Sequence, residues 1–447
     1  MKQASENSLH YKLLVLLIVA ASCVRVFVCF QHNPMDYLYS DMQRHWGNGL
    51  GFPRGGYFGA SDPIVYQVYI WVLQHLTRSN RLLVAAASAL LSVLMPWTYY
   101  RAARNFGLGK IPALWVWALI AWTPSLFTIY HYIMMETLLL LLEGVALWMT
   151  ARYLRKGGTE AFLLFVLSWT LASLTKPTVI PLAVVCSLWV WWKRSTTLKQ
   201  IGMGAVLAGL LLVPQAVRSK VELGFIAPFG NPWLTRIMLR SGARTTHVHF
   251  YTHPDQQLHF RASVKDGDMD FGSPSGFQQP LEPLSSWAIR RAYVDSKAHV
   301  IINSANGERD WKDACAAFNV DRDEWLAQWR ENIVLFFFAA SWPESTSPEW
   351  DGRLEYWGRW LWAPLVVFVF VGNVREFVRG RFDLIPVAVT LFTLVMALQN
   401  AVLTEGRYRK PVEPVLLLNL VWVLAAGAQR SEQAVRDQTL TTAEASA

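Results

Sequence analysis

The chain has 447 residues, of which 53% are hydrophobic and only 16% charged, with a mean hydropathy of +0.23. Soluble domains carry about 25% charged residues, so this composition excludes an ordinary soluble enzyme and points to a chain solvated largely by lipid. The formal net charge of +9 does not imply a nucleic-acid partner, because the longest polar segment, residues 218–355, is slightly acidic and carries no basic stripe.

A membrane-crossing helix needs about 20 mostly apolar residues. Taken in chain order, stretches near 12–30, 82–100, 111–130, 134–151, 160–176, 178–192, 201–217, 356–373, 383–403 and 411–428 meet or approach that requirement. The expected fold class is a polytopic α-helical membrane protein of about ten transmembrane helices. Lys2 and Lys12 precede the first apolar run as in a signal peptide, but the run is too long for one, and Arg25 interrupts it. The first span is therefore expected to be retained.

Orientation follows from Lys and Arg in the short connections. Arg101, Arg104 and Lys110, then Arg152, Arg155 and Lys156, then Lys193, Arg194 and Lys199, then Arg375, Arg379 and Arg381 fall in alternate connections. These are assigned to the cytoplasm together with both termini. The opposite, extracytoplasmic face then receives a first loop at 31–81, the insert 218–355, and the loop 404–410. The resulting organisation is an N-terminal transmembrane block over 1–217, the insert, a C-terminal transmembrane block over 356–430, and a polar cytoplasmic tail over 431–447 that is expected to be disordered.

The insert is expected to be mixed α/β. Thr245 to Tyr251 alternates like a strand. Leu284 to Ile302 is spaced as an amphipathic helix, and a second helix begins at Asp321 with Glu324 placed for a capping box. The apolar run from Ile333 to Ala340 is too short to span and is expected at the interface or docked on the bundle. His247, His249 and His253 suggest a metal set, but an ordinary polar strand accounts for them as well. Cys23, Cys29 and Cys186 lie in spans and only Cys315 in the insert, so no disulfide framework is expected.

Ionisable residues at the outer ends of spans are costly unless used. Asp41 follows the first span and, in reach of a hydroxyl, is suited to act as a general base; Asp36 and Asp62 compete for that role, and a helix-cap or solvated carboxylate is the plain alternative. Glu136 lies at the outer end of an otherwise apolar span. Lys176, in Thr175-Lys176-Pro177, runs against the positive-inside trend and suits a phosphate. Arg407 and Arg409 flank Tyr408, and a guanidinium grips phosphate with paired hydrogen bonds; interfacial anchoring would explain the same residues.

An acidic residue soon after the first span, a Glu at the outer end of an early span, a Thr-Lys-Pro, and Arg-Tyr-Arg-x-Pro-x-x-Pro at Arg407 to Pro414 together resemble the GT-C superfamily of membrane glycosyltransferases. The bacterial branch of that superfamily includes the aminoarabinose transferase of lipid A and protein mannosyltransferase-like enzymes. The resemblance covers about 12–192 and 383–428, not the insert. It implies a polyprenyl-phosphate sugar donor, an envelope glycan, lipid or protein hydroxyl as acceptor, and a multi-pass place in the bacterial inner membrane with the site on the extracytoplasmic face. It implies Asp41 as catalytic residue, with Glu136, Lys176, Arg407, Tyr408 and Arg409 lining the site. No cofactor is implied, a divalent metal is left open, and no nucleic acid is expected. In the first loop, Asp62 stands where relatives place a cation, and Arg44 or Arg54 is the substitute phosphate contact. An envelope glycan polymerase or ligase, and a transporter, are the alternative classes.

Overall fold

Helices account for nearly all of the transmembrane blocks because runs of Leu, Val, Ala and Trp satisfy their backbone groups internally, as lipid requires. The computed structural model describes residues 2–38, 40–53, 60 and 62–229 apart from 195 and 225, three strands within 247–270, Ile333, Phe336 and Phe337, and residues 350–400 and 406–426. The helices expected at 284–302 and from Asp321, together with Arg54 and the tail 431–447, lie outside the described residues.

The first block begins with α1 (Lys2–Gln31), followed by the loop helices α2 (Ser40–Leu50) and α3 (Ile64–Thr77). After these come α4 (Arg81–Phe106), α5 (Lys110–Trp122), the short α6 (Pro124–Thr128), α7 (Met135–Lys156), α8 (Thr159–Thr175), α9 (Ile180–Lys193) and α10 (Leu198–Leu223). The second block holds α11 (Trp350–Val378), α12 (Leu384–Asn400) and α13 (Val412–Ala426). Nine of the ten apolar stretches fall, over their described residues, on one helix each, and 111–130 falls on the broken pair α5 and α6. Among the described residues four helices are long and apolar enough to cross a membrane, or five if bent α5–α6 is one span. Four more are apolar but shorter, among them α8 and α13.

Local chemistry sets the boundaries. Asn80 starts α4 by accepting from the Leu82 and Leu83 amides, and Gly107 ends it in the left-handed region at φ 108°, where a side chain would be strained. Gly157 and Gly158, at φ 67° and 84°, turn the chain sharply enough for α8 to return antiparallel along α7. Thr197 and Gln200 form a reciprocal capping box at the start of α10. The core runs through α4, α7 and α8. There Gly144 faces Thr98 and Tyr99 so closely that a Cβ would collide with both.

The chain breaks between α5 and α6, bending by 67°. Pro124 has no N–H for the Ile120 carbonyl, and the residue before a proline is driven out of helical geometry; Thr123 is extended at φ −70°, ψ 116°. The carbonyls freed by the break are met by Arg25, which is buried in α1. Its guanidinium donates to Ile120 O (2.8 Å), Ala121 O (2.8 Å) and Leu126 O (3.2 Å), and to Ser92 O (2.9 Å) and Oγ (3.0 Å) on α4. The residue that interrupts the apolar run is thus the junction of α1, α4, α5 and α6.

Within the insert, β1 (His247–Thr252), β2 (Leu258–Val264) and β3 (Gly267–Asp270) form an antiparallel sheet in the order β1-β2-β3, with Phe250 paired to Phe260 and Ala262 to Met269. The alternating stretch noted in the sequence supplies β1. Phe336, from the apolar run 333–340, is buried in the main core of the bundle.

Arg25→Met keeps the side-chain length but leaves four carbonyls without their donor. Each orphaned buried acceptor costs about 1–3 kcal/mol, so the variant should melt far below wild type in detergent. Arg25→Lys, with one ammonium for acceptors on three helices, should recover only part of the loss. A melting temperature for Arg25→Met equal to wild type would remove this junction from the account.

Candidate functional site

The antiparallel arrangement collects the basic connections at one end of the bundle and a set of paired charges at the other. At that second end α1, α5 and α8 finish, α4, α7 and α13 begin, and α2 packs on α3, which packs on α8.

Asp41 stands in the first turn of α2, where the helix dipole favours a carboxylate. One turn on, the Arg44 guanidinium lies 3.2 Å from Asp41 Oδ1 and 3.4 Å from Asp62 Oδ2, so a single arginine sits between two carboxylates. The two differ in access. The Asp41 side chain is 26% exposed and the Asp62 side chain 11%. Asp62 also meets His45 Nδ1 at 3.3 Å and Asn48 Nδ2 at 3.4 Å. Burial alone would raise the Asp62 carboxyl; the Arg44 guanidinium and the His45 ring beside it outweigh burial and hold the group below its ordinary value.

Glu136 opens α7 and Lys176 closes α8, so each sits at the helix end whose dipole it complements. Lys176 Nζ reaches Glu136 Oε1 at 2.5 Å, with Glu136 only 1% exposed. Lys176 adopts an extended backbone ahead of Pro177, which turns its ammonium across the end of α7. The same ammonium lies 5.1 Å from the ring centre of Tyr408. Tyr66 of α3 connects the two groups: its ring meets His45 edge-on at 5.2 Å, and its hydroxyl lies beside Thr137 within the field of Glu136 and Asp62. Arg218, at the end of α10, donates at 2.5 Å to Oε1 of Gln67, the residue after Tyr66 in α3.

A third group anchors the start of α13. Arg409 is buried and donates through Nε to Glu413 Oε1 (2.9 Å) and through Nη1 to the carbonyls of Phe336 (3.0 Å) and Phe337 (3.2 Å). Ser125, the second residue of α6, donates to Glu413 Oε2 at 2.5 Å, and Lys410 donates to the Ser125 carbonyl. The Arg407 backbone belongs to the 3-10 turn Gly406–Arg409; its side chain lies outside the described residues.

The structure therefore brings Asp41, Arg44, Asp62, Glu136, Lys176, Tyr408 and Arg409 to one end, in an order running through Tyr66. Asp36 is apart from them, ion-paired with Arg81 at the start of α4. Sequence reasoning missed His45, Tyr66 and Arg218, and covered Lys410 and Glu413 only within the Arg407 to Pro414 stretch, without singling them out. The i, i+4 spacing of Arg409 and Glu413 was a readable signal, and Arg218 breaks the positive-inside trend as Lys176 does. Among the described residues no group of three or more His, Cys, Asp or Glu is placed to hold a metal ion; the side chains of His247, His249 and His253 are not among them.

Residues 61–217, about a third of the chain, match the family model described as dolichyl-phosphate-mannose-protein mannosyltransferase. The matched region contains Asp62, Glu136 and Lys176 and stops short of Asp41 and Arg409. No curated protein matches the chain. With the apolar helices, the match supports a multi-pass membrane glycosyltransferase of the GT-C type.

Two measurements check the electrostatics. Lys176→Met should cost about 3–5 kcal/mol by stranding a buried carboxylate. Adding Glu136→Gln should return part of that loss, a coupling read from a double-mutant cycle of unfolding in detergent. Strictly additive losses would mean that the pair does not interact. Because the folded Asp62 carboxyl titrates below the ordinary 3.8, its stabilisation is complete above that pH and disappears as pH falls through the lower folded value. Asp62→Asn should thus be less stable than wild type at neutral pH, with the difference closing under acid. A gap that persists unchanged in acid would assign the effect to packing.

Proposed function

We propose that this protein is a membrane glycosyltransferase that moves a sugar from a polyprenyl-phosphate donor to a hydroxyl of an envelope glycan, lipid or protein. In this reading the paired-charge end faces the extracytoplasmic side of a bacterial inner membrane, in keeping with the basic connections at the other end. The observation that carries it is the Asp41–Arg44 pair at the mouth of the bundle, next to a region matching a mannosyltransferase family.

The division of labour follows from the chemistry. The acceptor hydroxyl gives its proton to Asp41 as its oxygen bonds to the anomeric carbon. The anomeric carbon–oxygen bond to the phosphate breaks, and the leaving polyprenyl phosphate keeps the electron pair. That phosphate needs no strong acid; it needs cations as its charge grows. Arg44, Lys176 and Arg407 are the side chains assigned to this task. Asp62 is committed to His45, Arg44 and Asn48, and Asp36 to Arg81, which favours partly exposed Asp41 as the base. Arg409, whose fork is engaged by Glu413 and two carbonyls, is a positioning residue in this scheme. It orients Tyr408 and the 406–409 turn against Lys176.

Asp41→Asn keeps shape and hydrogen bonding but removes basicity. It should insert and melt like wild type yet lose roughly 10²–10⁴ in turnover in reconstituted proteoliposomes. Lipid extracts of a strain carrying only this variant should lose the same hexose, pentose or amino-sugar adduct, read by mass spectrometry, that a deletion strain loses. Activity within a few-fold of wild type would move the base elsewhere. An unchanged extract from the deletion strain would overturn the donor class itself.

A further inference from the structure

The basic end of the bundle carries a built cavity that glycosyl transfer does not use. Arg101, Arg104, Arg155 and Lys156 line a pocket of about 470 Å³ between the ends of α4 and α7, together with Asn105 and Tyr100. Among the described residues none of these four cations has a carboxylate within ion-pair distance; the nearby ion pair, Arg152 with Glu160, excludes them. Two are fixed from behind. Arg101 lies over the rings of Trp97 and Trp148, at 5.6 and 4.7 Å, and Arg104 donates to the Leu108 carbonyl at 2.8 Å. Four like charges gathered here repel one another; Asp383 lines the adjoining cavity with Arg104 and Arg155 but ion-pairs with neither, and a bound anion would relieve that repulsion.

Tyr100 also lines a second, apolar cavity of about 720 Å³ that follows α1 from Tyr11 to Phe27 against α4 and α5. Sixteen helical residues rise about 24 Å, more than the ~15 Å half-thickness of a bilayer core. The basic pocket and the groove, which is long enough for the acyl chain of one leaflet, thus share Tyr100 as a common wall. We propose that this end binds an anionic phospholipid, its phosphodiester held by Arg101, Arg104, Arg155 and Lys156 and one acyl chain lying along α1. The combination of charge and groove separates this occupant from a free phosphate, which would use the pocket alone. The site lies at the opposite end from Asp41, so it stands whether or not the catalytic reading does.

The test uses the full chain, delipidated and returned to nanodiscs of phosphatidylcholine with or without phosphatidylglycerol, read by thermal melting and native mass spectrometry of retained lipid. Wild type should retain phosphatidylglycerol in preference to phosphatidylcholine and melt higher with it. Arg155→Gln with Lys156→Gln, at positions outside the transfer site, should weaken that retention roughly thirtyfold, while Arg155→Lys should keep it. Cys23→Trp, filling the groove from an exposed, unbridged cysteine, should also reduce it. Equal retention of both lipids by wild type would overturn the proposal, and this comparison needs no variant to fold. Protection by inorganic phosphate equal to that by phosphatidylglycerol, together with a silent Cys23→Trp, would overturn the lipid as occupant and leave a free-anion pocket.

Discussion

The position of the charges at the start of α13 traces back to Arg25. A proline at the start of α6 frees carbonyls in the middle of an apolar bundle, where no water can reach them. The guanidinium of Arg25, with several donors in a planar fork, is the one side chain that can answer carbonyls from two directions and still bond Ser92 on α4. Fixing the break also fixes Ser125, the second residue of α6. Its hydroxyl and carbonyl hold Glu413 and Lys410, which sets where α13 begins. The Arg409–Glu413 pair and the Tyr408 ring over Lys176 follow from that placement. A charge that would be prohibitive in lipid is retained because removing it would disconnect three helices.

The same economy governs the buried pairs. Glu136 and Lys176 occupy opposite termini of antiparallel neighbours, so the tight glycine turn that joins α7 to α8 at the basic end also aligns their dipoles with the pair at the site end. Neither charge could be buried alone. Together they form a neutral, polar floor beneath the mouth where Asp41 and Arg44 are partly exposed. Below the floor lies the buried core.

Much of this was legible from spacing alone. Apolar runs marked the helices, the alternating Lys and Arg marked the basic end, and Glu136, Lys176 and the Arg407–Arg409 stretch stood out as ionisable groups at span ends. What spacing cannot reveal is partnership. Lys176 reads identically whether it faces phosphate or Glu136, which is 40 residues away in sequence. Arg25 reads as an interruption because the carbonyls it serves lie 67 and more residues downstream. Tyr66 and His45 sit in amphipathic loop helices whose patterns give no hint of a shared wall. Asp62 looks misplaced in a loop expected to carry a cation, until Arg44 is brought against it by the packing of α2 on α3.

This division of the cations bears on how such a site works. A guanidinium locked between a carboxylate and two backbone carbonyls, as Arg409 is, cannot also close a fork on an incoming phosphate without giving up bonds it already holds. Lys176 is different: an ammonium has three donors, and its bond to Glu136 leaves room for another acceptor near the Tyr408 ring. Arg44, bridging two carboxylates at the rim, is different again, because a phosphate approaching Asp41 would share the same guanidinium and weaken its hold on that carboxylate. An Asp41 released from its arginine as the donor phosphate binds is a stronger base than one still paired. In the scheme proposed above, with Asp41 as base and a phosphate-linked donor, donor binding would thus loosen the Arg44–Asp41 pair before proton transfer.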